Sequence, residues 1–400
     1  MRVRGSSRER RIAGRGRRVA LAVGLAAVVG PSAAAAAPAY APVDRPGPAL
    51  GVPAATLARS LDCSPGIDRA ARTPVLLVHG TNANVTANWS FTYEPALRAR
   101  GVPWCALSLP DWATNDIQVN GEYVVAAIRA IHRRAGRRIS IIGASQGGMV
   151  PRWALRFWPD TRPMVDDLIG LAPSNHGTAV FRDDTCAKGG CKPAEWQQRD
   201  DSAFITALNS RQETFPGISY SNVYTRTDET VQPNLDDRGS SSLHGGGGRI
   251  SNVAIQEICP AATSEHLMTS ATDGIAYALA IDALEHDGPA SRERIAANGC
   301  NQGAIPNADP IGLILYLPTL LSGAGATGDV GREPLLACYV TASCPGDAPP
   351  VVPGPPPRLR LEARPRRLVA GRTTPVRLTV RADDGTAVAG ATVRLGRARS

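Results

Sequence analysis

The chain has 400 residues, 43% of them hydrophobic, with a formal net charge of +9; that is enough for two or three domains around a sizeable core. The charge sits at the ends: the first 37 residues carry eight arginines against one glutamate and Arg358 to Ser400 eleven against three acids, which leaves −6 between them. A mildly acidic body with 5% aromatic residues has no basic, aromatic face with which to track phosphates, which excludes a nucleic-acid partner.

Residues 1–37 read as a secretory signal peptide: a basic stretch Arg2 to Arg18, an apolar run Val19 to Val29, and small residues Ala33 to Ala37 as cleavage sites. The apolar run is about half of the ~20 residues that a membrane helix needs. Arg17-Arg18 admits twin-arginine export, although the rest of that motif is poor. The eight cysteines agree with export, since their number is even, no C-x-x-C pair is present, and disulfides are favoured over metal ligation in a secreted protein. Spacing alone does not choose among the on the order of 100 pairings.

From residue 38 to 345 strands and helices alternate. Pro74 to His79 is an unbroken apolar strand, and Trp89 to Arg100 a helix ended by Gly101. Trp104 to Leu109 is a second strand, and Ile117 to Ala135 a helix with Val124, Ile128 and Ile131 on one face. Ile139 to Ile142 is a strand, Met149 to Phe157 a helix, and Leu168 to Leu171, Asn222 to Thr225 and Asn252 to Gln256 are further strands. The insertion Thr178 to Pro216 breaks this rhythm and reads as cap elements. The alternation predicts a mostly parallel sheet with helices on both faces and function at the carboxyl ends of its strands. A proline-dense linker, residues 346–357, follows. In 358–400, Arg358 to Glu362, Thr374 to Val380 and Ala391 to Leu395 alternate polar and apolar residues around an Asp383-Asp384-Gly385 turn, like the start of an immunoglobulin-like β domain.

The body is organised around Arg138 to Gly148, where a β-branched run collapses into Gly143-Ala-Ser145-Gln-Gly147 and a helix follows. Gly-x-Ser-x-Gly between strand and helix describes a nucleophile elbow, a strained turn that exposes the serine hydroxyl. A serine hydroxyl needs a histidine to take its proton, and the histidine needs a carboxylate to hold its tautomer. On this fold their order is Ser, Asp or Glu, then His. Asp228 follows the Asn222 strand, with Glu229 beside it as a rival, and His266 follows the last strand. His79 and His176 are misplaced for the order, and His132, His244 and His286 read as structural. Donors for an oxyanion would come from the Gln146 N–H and from the loop His79-Gly-Thr-Asn82, with Thr81 adding its hydroxyl.

On Leu76 to Thr81, Asn115 to Tyr123, Ser145 to Gly148, Trp196 to Gln198 and Thr227 to Pro233, the body from about Cys63 to Cys344 resembles the Candida antarctica lipase B-like family of α/β-hydrolases. The resemblance implies an α/β-hydrolase fold, Ser145, Asp228 and His266 as the triad, and Thr81 with Gln146 as the oxyanion hole. It also implies disulfides Cys63 to Cys105 and Cys259 to Cys300, leaving Cys186 with Cys191 and Cys338 with Cys344 as short local pairs. Ala144, Ser174 and Gln198 are the candidate substrate-pocket residues. Two of them depart from the family, which has an indole where this chain has Ala144 and a carboxylate where it has Ser174. The apolar stretch Ile311 to Leu321 looks like the family's helix beside the pocket entrance and is expected either to meet a lipid surface or to be core.

The expectation is a secreted, monomeric serine hydrolase that cleaves carboxylic, lipid-type esters through an acyl-enzyme, needs no cofactor or metal, and touches lipid surfaces transiently. The rivals are an acyltransferase or polyesterase with the same triad, and an inert surface-binding protein held by its tail.

Overall fold

In the computed structural model the described residues are 39–344, apart from 183–185, 187–189, 296–298, 302 and 322–326, together with 360–364 and 377–381. The expected signal peptide and linker lie outside them.

Seven strands form one sheet: β1 (Leu61–Cys63), β2 (Val75–Val78), β3 (Trp104–Leu107), β4 (Ile139–Ala144), β5 (Val165–Leu171), β6 (Ser219–Tyr224) and β7 (Arg249–Ala254). Their spatial order is β1-β3-β2-β4-β5-β6-β7, with β1 antiparallel to β3 and every other pair parallel. This is the sheet of an α/β-hydrolase. It puts β4 in the middle, so the turn after Ala144 opens between two neighbouring strand ends.

The strands are apolar on both faces because each face is covered. Val75 and Leu77 belong to one buried cluster, with Trp89, Leu97, Ile275 and Leu279. Leu76 and Val78 belong to another, with Val124, Ile128, Val150 and Trp153. Two layers of helices account for the continuous run Val-Leu-Leu-Val, whose residues are all wholly buried and each stabilise the fold by roughly 1.5 to 3 kcal/mol.

The helix Ile117–Ala135 has its predicted bounds, which its caps explain. Asp116 accepts from the Gln118 N–H at 2.9 Å, and Gly136, at φ 68°, takes the left-handed conformation that ends the helix. The segment predicted as one helix from Trp89 is a wide-turned helix Thr86–Tyr93 running into an α-helix Glu94–Ala99. The strand predicted to Gln256 pairs only as far as Ala254; Ile255–Ile258 then turns into a helix and carries Gln256 with it. The insertion 178–216 contains short helices Ala179–Phe181, Pro193–Gln197 and Ala203–Leu208.

β1 is too short for its periodicity to be read. Its Cys63 sits opposite Cys105 of β3 and is bonded to it. Further disulfides join Cys186 to Cys191, Cys259 to Cys300 and Cys338 to Cys344. Closing the separation of 42 between Cys63 and Cys105 stabilises by about 4 kcal/mol through loss of unfolded-chain entropy. In the tail, β8 (Arg360–Arg364) and β9 (Arg377–Arg381) pair antiparallel; the third predicted tail strand lies outside the described residues.

Candidate active site

Ser145 joins β4 to the helix Gln146–Phe157 at φ 54° and ψ −121°, a conformation that a non-glycine residue adopts only when its surroundings impose it. They do so tightly. A Cβ on Gly143 would lie 2.0 Å from the Gly147 carbonyl oxygen, and one on Gly147 would lie 2.1 Å from that of Val78, so both glycines are required by close backbone approach. The Ser145 N–H donates to Leu171 O at 2.9 Å, tying the turn to β5. Ser145 is partly exposed while its neighbours in the chain are buried.

The partners come from the ends of β6 and β7. Asp228 Oδ2 lies 2.9 Å from His266 Nδ1, and Asp228 Oδ1 accepts from the N–H groups of Thr230 and Val231 at 2.9 and 2.7 Å. Glu229 turns elsewhere and accepts from the His266 backbone N–H at 3.1 Å. Burial pushes Glu229 up, but that bond, with others from backbone and Thr230, outweighs it and holds the carboxyl below its usual range. His266 opens the helix His266–Ala271, which packs beside β4 and β5. Ser145 Oγ and the His266 ring share no direct hydrogen bond, a gap that free hydrolases often close only with substrate bound.

Sequence reasoning missed the residues that bring these two loops together. Thr225 and Thr227 both donate to Ser264 O at 2.8 Å. Gln256 donates to Thr225 Oγ1 at 2.8 Å and accepts from the Arg226 N–H at 3.0 Å. Gln256 was read as the end of a strand, so its side chain carried no signal.

Beside the serine, a Cβ on Gly80 would lie 3.0 Å from Ser145 Cβ, so the His79–Asn82 loop borders the elbow. Gln146 opens its helix, where a backbone N–H has no partner within the helix and remains available to a ligand. Its side chain donates to Thr81 Oγ1 at 2.8 Å, and Gln198 Nε2 donates to the same oxygen at 2.7 Å. Ser174 Oγ donates to Gln198 Oε1 at 3.0 Å.

The candidate pocket residues are therefore not open surface. Ser174 and Gln198 are 1% and 3% exposed, and Ala144 is 0% exposed within the cluster of Ile142, Ile169 and Leu171. An indole at position 144 would meet packed core.

The other histidines have structural partners. His79 is wholly buried, accepts from the Leu109 N–H at 3.0 Å through Nε2 and contacts Gly80 O through Nδ1 at 2.9 Å; burial pushes it down to about 4, which keeps it neutral. His176 pairs with Glu213 at 2.7 Å, while His132, His244 and His286 contact the carbonyl oxygens of Arg137, Asp237 and Asp282. A surface cleft of about 480 Å³ lined by Arg72, Arg100, Arg137 and Glu285 lies by the amino ends of β2 and β4, away from the elbow.

The stretch Ile311 to Leu321 lies in a helix, Pro310–Leu321, and its outer residues are not core: Ile311, Ile314 and Leu315 are 69%, 67% and 74% exposed. One side is anchored to the Thr86–Tyr93 helix and the turn before it, through packing of Tyr316 on Phe91 and through Asn84, which donates to the Tyr316 hydroxyl at 2.8 Å. The His266–Ala271 helix packs on the same element and exposes Leu267 and Met268. Among the described residues no helix is long and apolar enough to cross a membrane.

Residues 72–258 match the family model described as Lipase (class 2). Lipase B of Pseudozyma antarctica is 33% identical over 213 residues, which cover 53% of this chain and 61% of that protein, so the chain spans somewhat less than two thirds of the relative's length. The crystal structure of Aspergillus fumigatus lipase B superposes with a TM-score of 0.67 at 29% identity, covering 75% of each chain.

Proposed function

We propose that this chain, whose residues 72–258 match the class 2 lipase family model, is a secreted serine hydrolase that cleaves carboxylic esters, lipid esters among them. The observation that carries the reading is a strained, partly exposed Ser145 at the end of β4 together with an Asp228–His266 pair whose helix, His266–Ala271, packs beside β4 and β5. Ser145 Oγ attacks the ester carbonyl while His266 Nε2 takes its proton, and Asp228 holds the other ring nitrogen and stabilises the imidazolium. The negative charge that develops on the carbonyl oxygen meets the Gln146 N–H and the Thr81 hydroxyl. His266 then returns the proton to the departing alcohol, and water, deprotonated by the same histidine, releases the acid and restores Ser145.

Lipid as substrate is supported by Ile311, Ile314 and Leu315, exposed on the Pro310–Leu321 helix, and by Leu267 and Met268, exposed on a helix that packs on the same Thr86–Tyr93 element. Four disulfides support an oxidising destination. The test is Ser145→Ala, assayed on a p-nitrophenyl ester beside an emulsified triglyceride. Turnover is expected to fall by about 10⁵ to 10⁶-fold with the fold intact. Undiminished hydrolysis by the variant would remove the serine mechanism, and an inactive parent chain would favour an inert surface-binding protein.

A further inference from the structure

The hydrogen bonds around Thr81 constrain where its hydroxyl hydrogen points. A threonine hydroxyl has one hydrogen to give and two lone pairs to receive. Two side-chain amide nitrogens approach Thr81 Oγ1, that of Gln146 at 2.8 Å and that of Gln198 at 2.7 Å. An amide nitrogen donates and does not accept, so Thr81 accepts twice and its own hydrogen is turned out of the cluster.

Each amide is fixed by contacts that make the opposite orientation unfavourable. Gln146 Nε2 also donates to Ala113 O at 2.9 Å, and Gln146 Oε1 accepts from Asn120 Nδ2 at 3.0 Å. Gln198 Nε2 also donates to Ala194 O at 3.2 Å, and Gln198 Oε1 accepts from Ser174 Oγ at 3.0 Å. Turning either amide over would set its oxygen against a carbonyl oxygen. The backbone that presents Ala113 O is itself held in an uncommon conformation, with Asp111, Trp112 and Ala113 at φ 49°, 57° and 58° in succession. Such strain persists where the surrounding structure over-determines it.

We infer that Ser174 and Gln198 are positioning residues that act through Thr81, holding its hydroxyl as a ready donor for the oxyanion rather than lining the acyl pocket. The inference rests on the serine-hydrolase reading above. Gln198 supplies the second donor that fills Thr81's lone pairs; Ala194 O fixes which end of the Gln198 amide faces Thr81, and Ser174 holds the opposite end in place. A donor oriented before substrate arrives needs no reorganisation when charge develops, so its effect falls on kcat and not on binding of the neutral ester.

The test is a double-mutant cycle on a small soluble p-nitrophenyl ester. Gln198→Glu keeps the shape of the side chain but offers Thr81 only acceptors, so the hydroxyl donates to the carboxylate and is lost to the oxyanion; kcat is expected to fall by about 10² to 10³-fold with KM within about threefold. Thr81→Val removes the donor outright and sets the ceiling. Gln198→Glu in the Thr81→Val background is expected to cost almost nothing more. Ser174→Ala, a small truncation that leaves Gln198 in place, is expected to lower kcat by about 3 to 10-fold in the parent and to be silent in the Thr81→Val background, and it carries the test if Gln198→Glu does not fold. Losses that multiply in the double variants, or that appear in KM alone, overturn the positioning role. Ser145→Ala assayed in parallel separates the two claims: if it retains turnover the serine mechanism itself fails, whereas an inactive Ser145→Ala with multiplying losses at 81 and 198 leaves that mechanism standing without this positioning.

Discussion

Asp228 and His266, 38 residues apart in the chain, meet at 2.9 Å through a carboxylate oxygen and the Nδ1 of the ring, while the neighbouring Glu229 takes the backbone N–H of the same histidine. Two adjacent acids thus divide one residue between them. Only the one on the ring has leverage over the tautomer that a general base requires.

Replacing Asp228 by Asn is expected to cost about 10⁴-fold in kcat, because an amide presents a hydrogen where the ring needs an acceptor. Glu229→Gln keeps an acceptor for the His266 N–H and is expected to cost less than about tenfold. Steady-state rates on one soluble ester decide between them; a larger loss from Glu229→Gln would reverse the assignment of the acid.

Asp167 is expected to make the fold less stable as pH rises from acid to neutral. It is buried on β5, where burial pushes its carboxyl up to about 7 against the opposing hydrogen bond from Ser140 Oγ at 2.8 Å. A folded-state value above the unfolded one means that the native state holds the proton more tightly, so the stability it contributes is complete below about pH 4 and is lost as pH rises towards about 7. Asp167→Asn, which keeps an acceptor for Ser140 without the charge, is expected to raise the melting temperature clearly at pH 8 and little at pH 4. Calorimetry at the two pH values checks this; a gain of equal size at both would show that Asp167 is charged throughout.

Ala144 bears on packing before it bears on specificity. With no exposed surface, the methyl group leaves no open space at the elbow for an indole. Ala144→Trp is expected to destabilise by about 3 kcal/mol or more, and to depress kcat/KM for methyl esters and bulky secondary-alcohol esters alike, because overpacking displaces the strand that ends at Ser145. If the variant melts like the parent and loses only the bulky esters, position 144 does border the alcohol site.

The exposed face of Pro310–Leu321 gives a prediction that soluble substrates do not report. Ile314→Glu together with Leu315→Glu adds charge to side chains already in solvent and is expected to leave the p-nitrophenyl acetate rate within about twofold. Binding to zwitterionic vesicles and hydrolysis of emulsified triglyceride are expected to drop about tenfold or more, since each lost apolar contact is worth on the order of 1.5 to 3 kcal/mol at a lipid surface. Equal activity on emulsion would leave this face without a lipid role.

What the sequence alone determined was local. The helix Ile117–Ala135 was legible to the residue because its periodicity, its Asp116 cap and its Gly136 terminator lie within the helix or next to it. The strand-turn-helix around Ser145 was legible because glycine spacing reports close backbone approach, and the Ser, Asp, His order reports a topology. Tertiary structure decided what depends on residues distant in the chain. Whether Asp228 or Glu229 faces the ring turned on how two loops are pinned, by Thr225, Thr227 and Gln256. That Ser174 and Gln198 attend Thr81, 93 and 117 positions away, and that Ala144 is sealed in the core, follow from the stacking of β4, β5 and the insertion helices. A hydrogen bond between side chains so separated leaves no periodic trace in a single sequence, because its geometry exists only once the sheet has brought the strand ends together.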